Sequence, residues 1–325
     1  MKRSSEYKKI IQLIHKYHRF LISTHVNPDP DALCSELAMA IFLRSLGKHV
    51  VIVNAEEPPD RFRFLPSIEH IHAYKKGEII PFEVAITVDC GELSRIGEVR
   101  EIITEDKLVI NIDHHVTNDN FGNFYLIDVA ASSTTEVLYH LFEKARCPLT
   151  KNLALLLYVG IMTDTGSFRY ENTTSCTHKI AGDLMKFQFP VDVLYRRMYE
   201  TIPLNDLKLF TKVLNGFESI WDGKVICVRL PRKVCEQFSD RFDLRDAIFR
   251  FLRTIRESEL VVVFTEVSRT TTRVNFRSSG KWDVASLASV FKGGGHRRAS
   301  GCTVEKNIQE ARRSILQIIK KTLID

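Results

Sequence analysis

At 325 residues, 44% hydrophobic and 26% charged, the chain has ordinary globular composition and enough apolar mass for one large or two medium cores, which excludes disordered and fibrous classes. The formal net charge of +6 is lopsided: residues 1–216 carry 25 Lys and Arg against 27 Asp and Glu, whereas residues 217–325 carry 21 against 13. An excess confined to the C-terminal part fits a domain that holds an anionic partner, such as a nucleotide or nucleic acid, or one kept soluble by its charge.

No uncharged apolar run approaches the roughly 20 residues of a membrane-spanning helix. The basic N-terminal stretch carries Glu6, lacks an apolar segment with a cleavage site and leads straight into a strand pattern, so no targeting peptide is read there. Seven scattered cysteines without a Cys-x-x-Cys pair indicate neither a disulfide framework nor a zinc finger, and a reducing cytoplasm is expected.

In chain order, three short apolar runs each end in acid, base or metal-ligand residues. Residues 20–24 run into His25, 84–88 into Asp89, and 108–112 into Asp113-His114-His115. Between them lie amphipathic helical patterns at 32–46, which stops at Gly47, and at 133–145, which follows a Ser/Thr cap region. Such runs predict parallel strands buried on both faces, with the polar residues at their carboxyl ends, where open α/β sheets bind ligands. The pattern stays helical from 152 to 189. Pro190 opens a polar helical stretch to 216, read as a linker. Beyond it come a strand at 224–230, a helix at 233–256, strands at 260–267 and 272–277, a short helix at 284–291, a glycine-rich turn, a strand around 302–304 and a helix at 308–323. The expected architecture is therefore α/β: a parallel-sheet domain over 1–189, a helical linker over 190–216 and a smaller α/β domain over 217–325.

His25-x-x-x-Asp29-x-Asp31 puts three potential ligands on one loop stiffened by Pro28 and Pro30. Alone, Asp-Pro-Asp reads as a turn and a helix cap. Together with Asp89, the Asp113-His114-His115 triplet and Asp164 in Gly160-Ile-Met-Thr-Asp-Thr-Gly-Ser, it makes a set of carboxylates and imidazoles at one sheet edge whose repulsion calls for cations. Oxygen and imidazole donors without thiolate favour manganese or magnesium, and two divalent ions roughly 3.5–4 Å apart are a general device for in-line attack on phosphorus. Isolated histidines such as His18, His49 and His140 carry no such reading.

These residues resemble the DHH phosphoesterases, named for the triplet that stands here as Asp113-His114-His115, with a matching first motif His25-Val-Asn-Pro-Asp29-Pro-Asp31-Ala. The resemblance extends to the DHH-associated domain, whose Gly-Gly-Gly-His signature is Gly293-Gly294-Gly295-His296 followed by Arg297-Arg298-Ala299-Ser300-Gly301. Length and domain pairing are most similar to the nano-RNase branch, which degrades short oligoribonucleotides and dephosphorylates 3′-phosphoadenosine 5′-phosphate (pAp).

The resemblance implies two divalent ions, one on His25, Asp29 and Asp89, the other on Asp31, Asp89, His114 and Asp164, with Asp89 shared. It implies that His115 faces the scissile phosphate while Asp113 orients its neighbours. It also implies that Arg277, Ser278, Gly293, Gly294, Gly295, His296 and Arg298 bind the non-scissile part of the substrate, across a cleft from the metals. Two departures stand out: Pro30 between the aspartates, where the family usually has a small residue, and Cys34, where it often has glycine. Cys34 raises the expectation of a less closely approached loop and of sensitivity to oxidation.

Expected partners are short single-stranded RNA and pAp, with no membrane; a homodimer is compatible with the sequence. Rival readings are a phosphodiesterase for linear dinucleotides, a pyrophosphatase and a non-catalytic nucleotide-binding regulator.

Overall fold

The structure is a computed structural model that describes residues 2–324 except Asp240. Its chain divides after Met198 into two compact units.

In unit 1 the elements are α1 (Lys2–Lys16), β1 (Arg19–Ser23), α2 (Pro30–Ser45), β2 (His49–Asn54), β3 (Ile71–Ala73), β4 (Val84–Val88), β5 (Leu108–Asp113), β6 (Phe124–Ile127), α3 (Thr134–Lys144), α4 (Lys151–Asp164), α5 (Ser175–Met185) and α6 (Val191–Tyr199). All six strands are parallel, in the order β3-β2-β1-β4-β5-β6. The order reverses between β1 and β4, and at such a switch point the loops leaving two neighbouring strands part in opposite directions and open a crevice. The three strands expected from apolar runs are β1, β4 and β5, the most buried of the sheet; β4 has no exposed residue.

Helices α2, α3 and α4 pack together on the sheet. Another core, of Leu21, Val53, Tyr74, Phe82, Ala85, Cys90, Ile96, Val99 and Val109, is closed partly by 3-10 turns at Leu93–Ile102. Sequence reading passed over β2, β3 and β6: β3 and β6 are short and only partly buried, whereas β2 does carry a continuous apolar run, at residues 50–53, which ends in no acid or base and so drew no notice. It also ran one helical segment from 152 to 189. The chain instead leaves α4 through Gly166, Ser167 and Phe168, all at positive φ (55°, 62° and 63°), and restarts at a Thr174 capping box. Left-handed backbone cannot continue a right-handed helix.

In unit 2 the elements are α7 (Leu204–Asn215), β7 (Glu218–Ile220), β8 (Val225–Leu230), α8 (Arg232–Cys235), α9 (Leu244–Leu252), β9 (Leu260–Ser268), β10 (Thr271–Ser278), α10 (Val284–Ser289), β11 (Gly294–His296), β12 (Ala299–Val304) and α11 (Ile308–Ile324). They form a mixed sheet in the order β11-β12-β10-β9-β8-β7, with only β8 and β9 parallel. Strict alternation sorts its side chains. Leu260, Val262, Phe264, Val274 and Phe276 enter the core with α10 and α11, while Val261 and Val263 join Ile226, Val228 and the α9 residues Ile248 and Phe249 on the opposite face.

Two expectations are corrected here. The helix expected at 233–256 is two short helices, because the Ser239 amide and hydroxyl are held by Asp206 and a new helix starts where Asp243 caps the Asp246 amide at 3.0 Å. Within α9, Ile248, Phe249 and Leu252 are buried and Phe251 is exposed. The glycine-rich turn is a hairpin whose first arm, β11, pairs with β12 through Gly294↔Gly301, Gly295↔Ser300 and His296↔Ala299. Among the described residues no helix is long and apolar enough to cross a membrane.

Candidate metal centre

β1 and β4 deliver His25 and Asp89 to the two lips of the crevice, and β5, next to β4, delivers the triplet. Asp89 stands immediately after its strand at φ 53°, a left-handed conformation that Asp and Asn tolerate best among side chains with a Cβ. It is fully buried with three imidazole nitrogens around it: His25 Nε2, His114 Nε2 and His115 Nδ1, each 3.7 Å from a carboxylate oxygen. Thr134 Oγ1 donates to Asp89 Oδ1 at 2.8 Å.

Two of the imidazoles are locked in one tautomer. His25 Nδ1 donates to the Val26 carbonyl at 2.9 Å, and His114 Nδ1 to the Ala131 carbonyl at 3.4 Å. A carbonyl only accepts, so both rings carry their proton on Nδ1 and present the Nε2 lone pair, the form in which histidine ligates a metal. One ligand atom each from His25, Asp29 and Asp89 lies within 4.8 Å of the other two, and so it is for Asp89, Asp113, His114 and His115. Asp164, the last residue of α4, lies 3.5 Å from His114 Nε2.

Asp29 caps α2, accepting from the Ala32 amide at 3.0 Å through Oδ1, with Pro30 in the first helical position. Cap and ligand readings are therefore compatible, since a carboxylate has a second oxygen. Asp31, 2% exposed, is gripped by the start of α3: Thr134 N at 2.7 Å, Thr135 N at 3.1 Å and Thr135 Oγ1 at 2.6 Å. In the triplet, Asp113 Oδ1 accepts from the amides of His114 (2.7 Å) and His115 (3.3 Å) and from His115 Nδ1 at 2.7 Å; Oδ2 accepts from Asn118 Nδ2 at 2.5 Å.

Electrostatics identify what the cluster lacks. Burial, then the charges of Asp89 and Asp29, push Asp31 up to about 7, and burial with Asp31, Asp29 and Asp89 pushes Asp164 well above the carboxylate range. Burial opposes the ionised form of Asp89 too, but the His25 hydrogen bond and the His115 and His114 charges outweigh it and hold its pKa well below normal. Burial lowers the three imidazoles, yet the surrounding aspartates raise each above its usual value. Protons on these imidazoles thus supply the positive charge between the carboxylates; with those protons displaced, the Nε2 atoms and carboxylate oxygens converge as a donor set that fits divalent cations.

A pH effect follows for protein stripped by chelation. Asp31, Asp164 and the three histidines have folded pKa values raised above the unfolded ones, so they stabilise the fold at low pH and lose that contribution as pH rises through the folded values. Asp89 and Asp113 have the opposite sign, but their loss occurs below about pH 4. Thermal melts in chelator should therefore show Tm falling from about pH 6 to about pH 8. A rise over that interval would contradict the charge balance described.

Unit 2 carries a different surface. Arg273, Asn275 and Arg277 alternate with the core residues Val274 and Phe276, so they share the other face of β10. Arg277 pairs with Ala299, and Ala299 with His296, which places Arg277 and His296 on one face with only a methyl group between them. The Arg277 guanidinium lies 4.8 Å over the Phe249 ring and donates to the Phe276 carbonyl. Gly295 is at φ 136°, and a Cβ there would lie 2.6 Å from the Ala299 carbonyl; Gly293 is equally closed in, by Gly301 and Cys302, whereas Gly294 is open. Arg298 lies against Gly280, 3.1 Å from where a Cβ would stand. Ser278 is buried, and its hydroxyl oxygen accepts from the Gly280 and Trp282 amides, closing the turn after β10.

Comparison with known proteins agrees with this layout. Residues 19–161 match the model of the DHH family, N-terminal domain, and residues 222–324 that of the DHHA1 domain. A Thermus thermophilus protein named bifunctional oligoribonuclease and PAP phosphatase NrnA is 30% identical, the alignment covering 93% of this chain and 89% of that one. A Bacillus subtilis protein of the same name is also 30% identical, over 91% and 92%. This chain belongs to the DHH family. A crystal structure of an exopolyphosphatase-related protein from Bacteroides fragilis, 25% identical, superposes with a TM-score of 0.86 over 98% of the DHH chain and 96% of its own.

DHH phosphoesterases are metal-dependent, as the donor set already required. Within this DHH chain Cys34 is fully buried in α2, and burial and the charges of Asp31 and Asp29 push its thiol well above normal. A protonated, inaccessible thiol resists oxidation, which corrects the sensitivity expected from sequence. Four contributors escaped sequence reading: Thr134 and Thr135, which hold Asp89 and Asp31, Asn118, which holds Asp113, and Gly160. The Ser-Ser-Thr-Thr run before α3 was the available signal, and it read only as a cap.

Proposed function

We propose that this chain is a metal-dependent phosphohydrolase that degrades short oligoribonucleotides to mononucleotides and dephosphorylates pAp to AMP. The carrying observation is the gathering of His25, Asp29, Asp31, Asp89, His114 and Asp164 around one crevice, with both ligand-type histidines presenting Nε2. The names of the relatives, which align over about nine-tenths of the chain, supply the substrate class. His25, Asp29 and Asp89 hold one ion; Asp31, Asp89, His114 and Asp164 hold the other. Hard oxygen donors with imidazole and no thiolate favour manganese over zinc, and magnesium is the next candidate.

Divalent ions at such a site supply Lewis-acid charge toward a phosphate. The protein orients the reacting groups. Asp113 receives the Nδ1 proton of His115, which fixes the ring and raises its pKa, so that His115 offers a proton or a positive charge to the phosphate through Nε2. Arg277, Ser278, Gly293, Gly294, Gly295, His296 and Arg298 bind the rest of the substrate. The open face of β10, β12 and β11 is only about 10 Å across. That width takes one or two nucleotides, far less than the roughly 4–16 bound by grooves that track single strands. Free cysteines throughout the described residues support a reducing, cytoplasmic setting.

The test is phosphate and mononucleotide release from pAp, a dinucleotide, a linear cyclic-dinucleotide product and pyrophosphate, with and without manganese. Release from pAp and short RNA only with metal is expected; pyrophosphate as the sole good substrate would overturn the reading. Initial rates should also fall at least tenfold between a dinucleotide and an RNA of about 24 nucleotides at equal end concentration and fixed ionic strength. Equal rates would reject the short-substrate assignment.

Arg277→Ala and His296→Ala should raise KM for nucleotides by about tenfold each, as expected for losing one charged contact to phosphate, while bound manganese stays unchanged. Loss of manganese with KM unaltered would reverse the division of labour between the units.

A further inference from the structure

His140, isolated in the sequence, acquires neighbours in the fold. It lies one helical turn after Glu136 on α3, so the two share a face, and α5 brings Cys176 against them from 36 residues further along the chain. One ligand atom from each of Glu136, His140 and Cys176 lies within 4.8 Å of the other two, and His140 Nε2 is 3.9 Å from Cys176 Sγ. Donors to a common zinc ion, at their usual bond lengths and tetrahedral angle, stand roughly 3.6 Å apart.

Three further features fit a cation. Glu136 is 3% exposed, yet among the described residues its hydrogen bonds, from the Ser132 amide, the Ser132 hydroxyl and the Thr177 hydroxyl, all end on Oε2, which leaves Oε1 for an ion. His140 turns Nδ1 toward Glu143 Oε2 at 3.7 Å, the outer carboxylate that commonly orients a zinc-bound histidine and strengthens its ligating nitrogen. Cys176, in the first turn of α5, is surface-accessible, giving an ion a path of entry; burial and the Glu136 charge raise its thiol, so it is the ion that must displace the proton.

We propose that Glu136, His140 and Cys176 form a second cation site in unit 1, built for a thiophilic divalent ion of the zinc class and separate from the carboxylate-rich centre. Thiolate and imidazole select zinc over manganese or magnesium, so the two centres fill independently from a mixed metal pool. Binding releases the thiol proton to solvent and ties the start of α5 to α3. Water completes the coordination, because only three protein ligands converge.

The probe is Co2+ added to the manganese-loaded protein, read by the thiolate-to-cobalt charge-transfer band in the near ultraviolet. The carboxylate centre contains no sulfur and cannot give that band. One equivalent should develop it; Cys176→Ser should abolish it, His140→Gln should weaken cobalt binding at least tenfold, and Asp89→Asn should leave it intact. Zinc in place of cobalt should raise Tm in the wild type and not in Cys176→Ser, whose own melt without zinc reports that it folds. No band in the wild type, an undiminished band in Cys176→Ser, or its loss in Asp89→Asn would each overturn the proposal.

Discussion

Asp89→Asn is expected to lower turnover on every substrate by on the order of 10³-fold or more, with the fold intact. Asparagine is the informative choice. Position 89 is at φ 53°, which Asn accepts as readily as Asp, so the backbone has no reason to move. Thr134 Oγ1 can still donate to the remaining oxygen. What disappears is the negative charge that three imidazoles and, by proposal, two ions share. Metal content beside a thermal melt separates the outcomes: reduced metal with a normal melt is expected, and near-normal turnover would refute the binuclear assignment.

Gly160→Ala should act through packing, with no change in charge. The added methyl would lie 2.6 Å from Asp31 Oδ1 and closer still to Thr135 Oγ1, inside the contact by which α3 grips Asp31. Both neighbours are buried, so relief requires α4 to shift away from α2 and α3. Overpacking of this kind costs about 1–3 kcal/mol. Asp164 lies one turn further along α4 and would shift with it, and misplacement of a ligand by about 1 Å lowers rates roughly 10²-fold. Urea denaturation and turnover together test this; a variant equal to wild type in both would show that the close approach is not needed.

Much of this was legible because apolar strands and their terminal polar residues are local patterns. β1, β4 and β5 announce themselves as buried runs, and His25, Asp89 and Asp113 stand at or just beyond their carboxyl ends. Asp164 was legible only as part of a motif. The roles of Thr134, Thr135 and Gly160 were hidden, since each depends on how α3 and α4 cross α2, and no spacing encodes that crossing. The same limit concealed the pairing of His140 with Cys176. In unit 2, Gly293–Gly295 look like a flexible turn in sequence, whereas pairing with β12 makes Gly294 and Gly295 part of a strand in which Gly295 is needed for backbone fit.

The grip of α3 on Asp31 and Asp89 has a consequence for biogenesis. The hydrogen bonds span 103 and 104 residues to Asp31 and 45 to Asp89. On a ribosome, the first motif, Asp89 and the triplet have all been synthesised before the turn that steadies the aspartates, and Asp164 comes later still. A nascent chain therefore cannot hold a finished hydrolytic centre until most of unit 1 has emerged, and long-range closure of this kind slows folding. Stalled or truncated products ending before about residue 133 would carry five of the six proposed ligands, His25, Asp29, Asp31, Asp89 and His114, yet lack the clamp. Such fragments would hold most of the donor residues of a metal-dependent phosphoesterase without the contacts that arrange them.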